Sequence, residues 1–199
     1  MTNKQDTKKP AYAEDLIKKQ TAWWKNLLDV QAPYRWHLKR LNPGFMLDLG
    51  CGIGRNLKHI NGNGVGIDHN DQAVNFVRQL GMHAYTPKEF VDSEFHIQEH
   101  YDTILLAHVA EHMTQSEAET LLGSYLSFLK PGGRVIIFTP QEAGFSSDMT
   151  HVEFMDFNKL RSINKLLNLE IQKEYSYPFP RLAGRFFLYN EFVTISIKK

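Results

Sequence analysis

Apolar residues change their spacing repeatedly along this chain, and each change marks an element. Between Tyr12 and Leu41 they recur at helical spacing. Leu16, Ile17, Trp23, Trp24, Leu27 and Leu28 form one stripe and Tyr34, Trp36, Leu38 and Leu41 a second, with Pro33 dividing two helices that together occupy 12–42. The run from Phe45 to Leu49 is apolar except for Asp48 and reads as a strand. A helix from Asn56 to Ile60, a strand ending at Asp68, a helix from Asp71 to Leu80 and a short strand through Met82 to Tyr85 follow. Asp71 is placed as an N-cap or first-turn acid. Thr103 to Ala107 is apolar without a break, as in a strand covered on both faces. Next comes a helix with Leu121, Leu122, Tyr125, Leu126 and Leu129 on one side. Pro131-Gly132-Gly133 ends it before another strand. Strands and helices that alternate through short connections imply a parallel sheet with right-handed crossovers. The tail departs from that alternation: a helix over Asn158 to Leu167 precedes two strand-like runs, Leu169 to Tyr177 and Glu191 to Ile197, which a hairpin can supply.

Composition narrows the picture. At 199 residues the chain suits one domain, expected over 12–199 behind a polar, disordered tail at 1–11. A formal charge of +1 gives no strong nucleic-acid signal and no attraction to an anionic membrane. No apolar run is long enough to span a bilayer, and the N-terminus lacks a signal-peptide core. The single cysteine, Cys51, has no internal partner, which favours a reducing, cytoplasmic setting.

The candidate chemistry starts at Asp48-Leu-Gly50-Cys51-Gly52-Ile-Gly54, where a strand delivers a glycine-rich turn. Glycines there let a backbone approach a nucleotide and supply the dihedrals of a tight strand-to-helix turn. A dinucleotide fingerprint requires a further glycine, but Arg55 or Leu57 occupies that place, depending on the starting glycine. Asp48 would also repel a pyrophosphate, whereas it suits a cationic, sulfonium cofactor.

With that turn, the segments Gly64 to Asn70, Tyr101 to Met113 and Leu129 to Pro140 match, in order, class I S-adenosylmethionine-dependent methyltransferases, which this chain resembles across about residues 45 to 140. The resemblance, to the small-molecule type of that family, implies an α/β fold. Its sheet is Rossmann-like, seven-stranded and mostly parallel, in the order 3-2-1-4-5-7-6, with helices on both faces. The N-terminal helices would form a lid, bringing Tyr12, Trp23 and Trp24 over the cofactor or merely packing them on the sheet.

It further implies S-adenosylmethionine held by Asp48, Gly50, Cys51, Gly52, Asn56, Asp68, His69, Thr86 and Ala107. Asp48 would face the positive end of the methionine part and Asp68 the ribose. Thr86 stands where the family carries an acid near adenine, leaving its hydroxyl, the backbone or Glu89 for that task. His108 and His151 are the two candidates for a base, each with a purely structural alternative, and His112 is read as positioning its loop. Arg181, Arg185 and Tyr189, read from the residues between the last two strands, either contact the acceptor, whose charge would then be negative, or stand on a surface hairpin with both arginines solvated. The family's amino-methylating signature, Asn or Asp before Pro-Pro and an aromatic, is missing after the fourth strand. This favours oxygen on a small or medium-sized acceptor. A nicotinamide-nucleotide oxidoreductase and a non-catalytic cofactor-binding relative are the alternatives. No cysteine and histidine spacing of a structural zinc site occurs, so no metal is expected.

Overall fold

The computed structural model describes residues 32–199. The expected tail, the first apolar stripe and the lid residues Tyr12, Trp23 and Trp24 lie outside the described residues. Seven strands form one sheet in the order β3-β2-β1-β4-β5-β7-β6. The chain divides into two compact units that part between His96 and Ile97.

The first unit holds α1 (Ala32–Leu41), β1 (Met46–Leu49), α2 (Arg55–His59), β2 (Gly64–Ile67), α3 (Asp71–Gln79), β3 (His83–Tyr85) and α4 (Pro87–Val91). Pro33 sits in the first turn of α1, where its missing N–H costs no helical hydrogen bond. All four residues of β1 and of β2 are buried, as parallel strands with both faces covered must be. The two strands pair in parallel with Asp48 opposite Gly66, and β2 pairs in parallel with β3. Helix α3 presents Ala73, Val74 and Val77 to the core. Its cap is Asn70, whose side chain accepts from the N–H groups of Gln72 and Ala73, so Asp71 is the first-turn acid.

Close approach explains a glycine inside β2. A Cβ on Gly66 would lie 2.5 Å from the Cys51 Sγ and 3.0 Å from Leu57 Cδ1, so the turn after β1 rests directly on the bare backbone of β2. A Gly66→Ala chain should therefore lose about 1–3 kcal/mol of stability through overpacking. Denaturant unfolding of the two proteins measures the difference, and equal midpoints would show that the turn shifts without penalty.

The second unit holds β4 (Tyr101–Ala107), α5 (Gln115–Tyr125), β5 (Leu129–Pro140), α6 (Glu142–Ser146), α7 (Phe157–Leu166), β6 (Leu169–Tyr177) and β7 (Glu191–Lys198). β4 and β5 are parallel, whereas β7 runs antiparallel to both β5 and β6, so the last two strands are the expected hairpin. Strand β5 begins earlier than expected. Pro131-Gly132-Gly133 lies within it at a register irregularity, because the chain leaves α5 through a short 3-10 turn at Leu126–Phe128. Gly132 takes the left-handed backbone there, φ 73°. Two short helices, α4 and α6, stand where the sequence shows only a strand end and a polar loop.

Candidate active site

In the first unit the glycine turn folds around two buried carboxyl groups. Gly50, Gly52 and Gly54 all have positive φ, 74°, 51° and 75°. The N–H groups of Gly50 and Cys51 both donate to the Ile67 carbonyl, at 2.7 and 3.0 Å, fixing the turn to the end of β2. A Cβ on Gly52 would meet nothing within 4 Å, so this backbone faces open space. Asp68 accepts from the N–H of Gly52 at 2.8 Å and from that of Asn70 at 2.9 Å. Each carboxylate oxygen has a second lone pair, so these bonds leave acceptor capacity for a ligand hydroxyl.

Asp48 is fully buried. Its Oδ1 receives only a long 3.5 Å contact from Asn56 Nδ2, and its Oδ2 has no hydrogen-bond partner among the described residues. Burial is the main cause that lifts its pKa to about 7, with Asp68 adding to it and Asn56 opposing. A buried carboxyl group with an idle oxygen is costly in isolation and suits a cationic ligand. This is the respect in which the cradle fits a sulfonium cofactor that also carries an ammonium group.

The other expected contacts of this unit have local duties. The Cys51 thiol is buried, and burial, Asp48 and Asp68 raise its pKa, so it is an inert packing group. His69 is half-exposed, with Nδ1 3.9 Å from Asp68 Oδ1. Thr86 caps α4: its Oγ1 accepts from the Glu89 N–H at 3.3 Å, and the Glu89 carboxylate accepts from the Thr86 N–H at 2.8 Å. Glu89 also holds Arg78 through two bonds of 3.1 and 2.9 Å, and that pairing draws its pKa down to about 2. Glu89 is thus committed to Arg78 and to the cap.

In the second unit, β4 ends at the buried Ala107, and His108 follows with a left-handed backbone, φ 58°. For a non-glycine residue that geometry is strained, and such strain clusters at functional sites. The His108 side chain is 45% exposed, yet Nε2 lies 2.8 Å from Glu191 Oε1 and Nδ1 3.3 Å from Glu111 Oε1. Both ring nitrogens therefore face carboxylate oxygens and carry hydrogens. Desolvation pulls its pKa down, but Glu191 and Glu111 outweigh that effect and push it up to about 10. In this arrangement the imidazole holds its proton and has no lone pair to offer as a base.

His151 stacks on Phe145 and donates from Nδ1 to the Phe145 carbonyl at 2.7 Å. Its ring lies 4.9 Å from that of His112. The loop reaches this place because the N–H groups of Val152 and Glu153 both donate to the Glu111 carbonyl, at 2.7 and 3.2 Å. Burial holds the pKa of His112 below its usual range.

The segment after β6 carries the acceptor candidates. Arg181 donates Nη1 to Glu142 Oε2 at 2.8 Å and Nη2 to Glu142 Oε1, and stacks over the Phe192 ring at 4.7 Å. It is thereby spent within the protein. Arg185 is exposed with no ion pair among the described residues, and Tyr189 is exposed beside Phe187. Leu182, Phe186, Phe187 and Leu188 are exposed too, Phe186 to 86%.

Sequence reasoning missed the seat of this segment. Gln141 is buried, with Nε2 donating to Ser176 Oγ and the Glu191 carbonyl and Oε1 accepting from Asn190 Nδ2 at 2.9 Å. Asn190 accepts from the Phe179 N–H at 2.9 Å. Gly184 packs on the same side chain, since a Cβ there would lie 1.8 Å from Gln141 Oε1. The only signal in the sequence was a polar pair directly flanking apolar strands.

A family model described as a methyltransferase domain matches residues 24–187. No curated protein matches the chain. Among solved structures, a TehB-like S-adenosylmethionine-dependent methyltransferase from Corynebacterium glutamicum superposes with a TM-score of 0.66 at 18% identity, covering 96% of this chain and 100% of its own. The magnesium protoporphyrin IX methyltransferase of Synechocystis, with its bound cofactor, gives 0.59 at 15% identity over 86% of this chain and 82% of that one. The 1,6-didemethyltoxoflavin-N1-methyltransferase of Burkholderia thailandensis gives 0.58 at 16% identity, with coverages of 94% and 87%. None of the helices among the described residues is long and apolar enough to cross a membrane.

Proposed function

Because the chain belongs to the methyltransferase domain family and is an S-adenosylmethionine-dependent methyltransferase, we propose that it methylates an oxygen atom of a small or medium-sized acceptor that combines an apolar body with negative charge. The cofactor supplies an activated methyl group whose leaving thioether is neutral, so the protein's task is binding and alignment. Asp48 and Asp68, with the backbone of Gly50 and Gly52, are the residues that would hold it. The family assignment removes the nicotinamide reading.

One observation carries the acceptor class. The segment between β6 and β7 lays Leu182, Phe186, Phe187 and Tyr189 open to solvent beside Arg185, an exposed guanidinium that forms no ion pair of its own among the described residues and feels Glu142 only at a distance. Aromatic and aliphatic surface of that kind suits an apolar body, and a guanidinium suits a carboxylate or phenolate. Arg181 is left out of the proposed contact because Glu142 neutralises it. With both His108 nitrogens facing carboxylates, an acceptor oxygen that is already ionised also needs no protein base.

Transfer of labelled methyl from S-adenosylmethionine to a panel of aromatic hydroxy acids, with matched amines and uncharged phenols, tests this reading. Label on the anionic oxygen acceptors, reduced at least tenfold by Arg185→Ala, is the expected result. Label confined to amines or neutral phenols would reject the acceptor class and leave the family assignment standing.

A further inference from the structure

We propose that Glu111, His112 and His151 form a binding site for one first-row divalent metal ion, Zn²⁺ above all, in the second unit of the fold. One potential ligand atom from each residue lies within 4.8 Å of the other two, with Glu111 buried and both histidines half-buried. Ligands around a four-coordinate zinc stand roughly 3.4 Å apart, so closing the site requires side-chain movements of about 1 Å.

The hydrogen bonds of the two rings indicate which nitrogens are available. The Phe145 carbonyl can only accept, so His151 Nδ1 must carry the hydrogen in the 2.7 Å bond between them. That leaves a lone pair on His151 Nε2. For His112 the inference runs through Thr150. Thr150 Oγ1 donates its one hydrogen to Asp148 Oδ1 at 2.7 Å, so it can only accept from His112 Nδ1 at 3.1 Å. His112 Nε2 therefore presents a lone pair as well. Metal-bound histidines generally donate the other ring N–H to a carbonyl or to a carboxylate-linked group, which orients the ring and fixes its tautomer. Both rings already have that outer support.

Glu111 supplies the second, independent observation. Its side chain is 1% exposed, and neither oxygen has a hydrogen-bond partner among the described residues. The neighbouring charge is the His108 imidazole, whose Nδ1 lies 3.3 Å from Oε1. That imidazole is shared with Glu191, itself buried and with Oε2 unpartnered. Two buried carboxyl groups thus compete for one imidazole, an arrangement that strongly disfavours itself unless further positive charge is supplied. A divalent ion at Glu111 supplies it. Two imidazole nitrogens and one carboxylate oxygen suit zinc and its first-row neighbours better than Mg²⁺ or Ca²⁺, which take mainly oxygen ligands. Three protein ligands leave a coordination position open to water or another oxygen.

The untagged chain, stripped with chelator and titrated with Co²⁺, provides the test, because visible d–d absorption reports coordination without any need for turnover. One Co²⁺ per chain with a dissociation constant below about 10 μM, displaced by Zn²⁺, is expected. His151→Ala and Glu111→Gln should each weaken binding more than tenfold. Thr150→Val, which alters no ligand but removes the hydroxyl partner of His112 Nδ1 and leaves it only the longer contact to the residue 150 carbonyl at 3.4 Å, should weaken it severalfold. Thermal melts in chelator identify a variant that fails to fold, and the remaining two then decide. Absence of stoichiometric Co²⁺ binding by the parent, or undiminished binding by the folded variants, would overturn the proposal. Calorimetry with S-adenosylmethionine on the same samples reports the cofactor site separately.

Discussion

Asp48→Asn should become progressively more stable relative to the parent as pH rises from about 4 to about 7, with the difference constant above that. The unfolded Asp48 carboxyl ionises near 3.8, whereas burial lets the folded one hold its proton to about 7. Between those values the folded parent binds more protons than the unfolded chain, so each step up in pH favours unfolding. The asparagine variant has no proton to lose, and comparing the two cancels the opposing titrations of other groups. The full difference is on the order of a few kcal/mol. Denaturant unfolding of the cofactor-free proteins at pH 4, 5.5, 7 and 8.5 measures it. A pH-independent difference would mean that Asp48 is ionised throughout and has a counter-charge elsewhere. The same property predicts that a cationic cofactor, by favouring the ionised form, expels a proton on binding below pH 7. Calorimetry in buffers of different ionisation enthalpy detects that proton.

Asp68→Ala should lose more than tenfold in affinity for S-adenosylmethionine, about 1.4 kcal/mol or more. Two effects combine. The carboxylate proposed for the ribose hydroxyls disappears, and the Gly52 N–H it holds at 2.8 Å loses its partner, loosening the turn. The second effect alone costs about 1–3 kcal/mol of stability. Asp68→Asn keeps one acceptor oxygen, enough for the Gly52 or the Asn70 N–H but not for both, so its loss should fall between the parent and the alanine variant. Unchanged dissociation constants in both variants would assign Asp68 to the turn only.

Much of this architecture was legible because local patterns and fold rules agree. Apolar runs, broken in β1 only by Asp48, marked β1, β2 and β4, the glycines at 50, 52 and 54 marked a turn that needs positive φ, and the order of motifs implied the sheet order. What stayed hidden depends on groups brought together by folding. The Arg181 guanidinium could not be known as spent until Glu142, 39 residues earlier, was seen beside it. His112 and His151 looked unrelated because the loop that joins them is pinned by backbone bonds to Glu111, which leave no trace in residue type. Thr86, read as a replacement for an acid, turned out to close a capping box, a role its spacing to Glu89 would have indicated had Pro87 been taken as the start of a helix.

The anchoring of the segment between β6 and β7 bears on how this protein could change its preferences. Gln141, Asn190 and Gly184 fasten it from beneath through buried polar bonds and one close contact, while Leu182, Arg185, Phe186 and Tyr189 are exposed. Substitutions among the outward residues can therefore accumulate without loosening the platform that carries them. The chain separates a fixed mount from an exchangeable face, and libraries confined to those four positions should yield folded proteins with altered acceptor ranges.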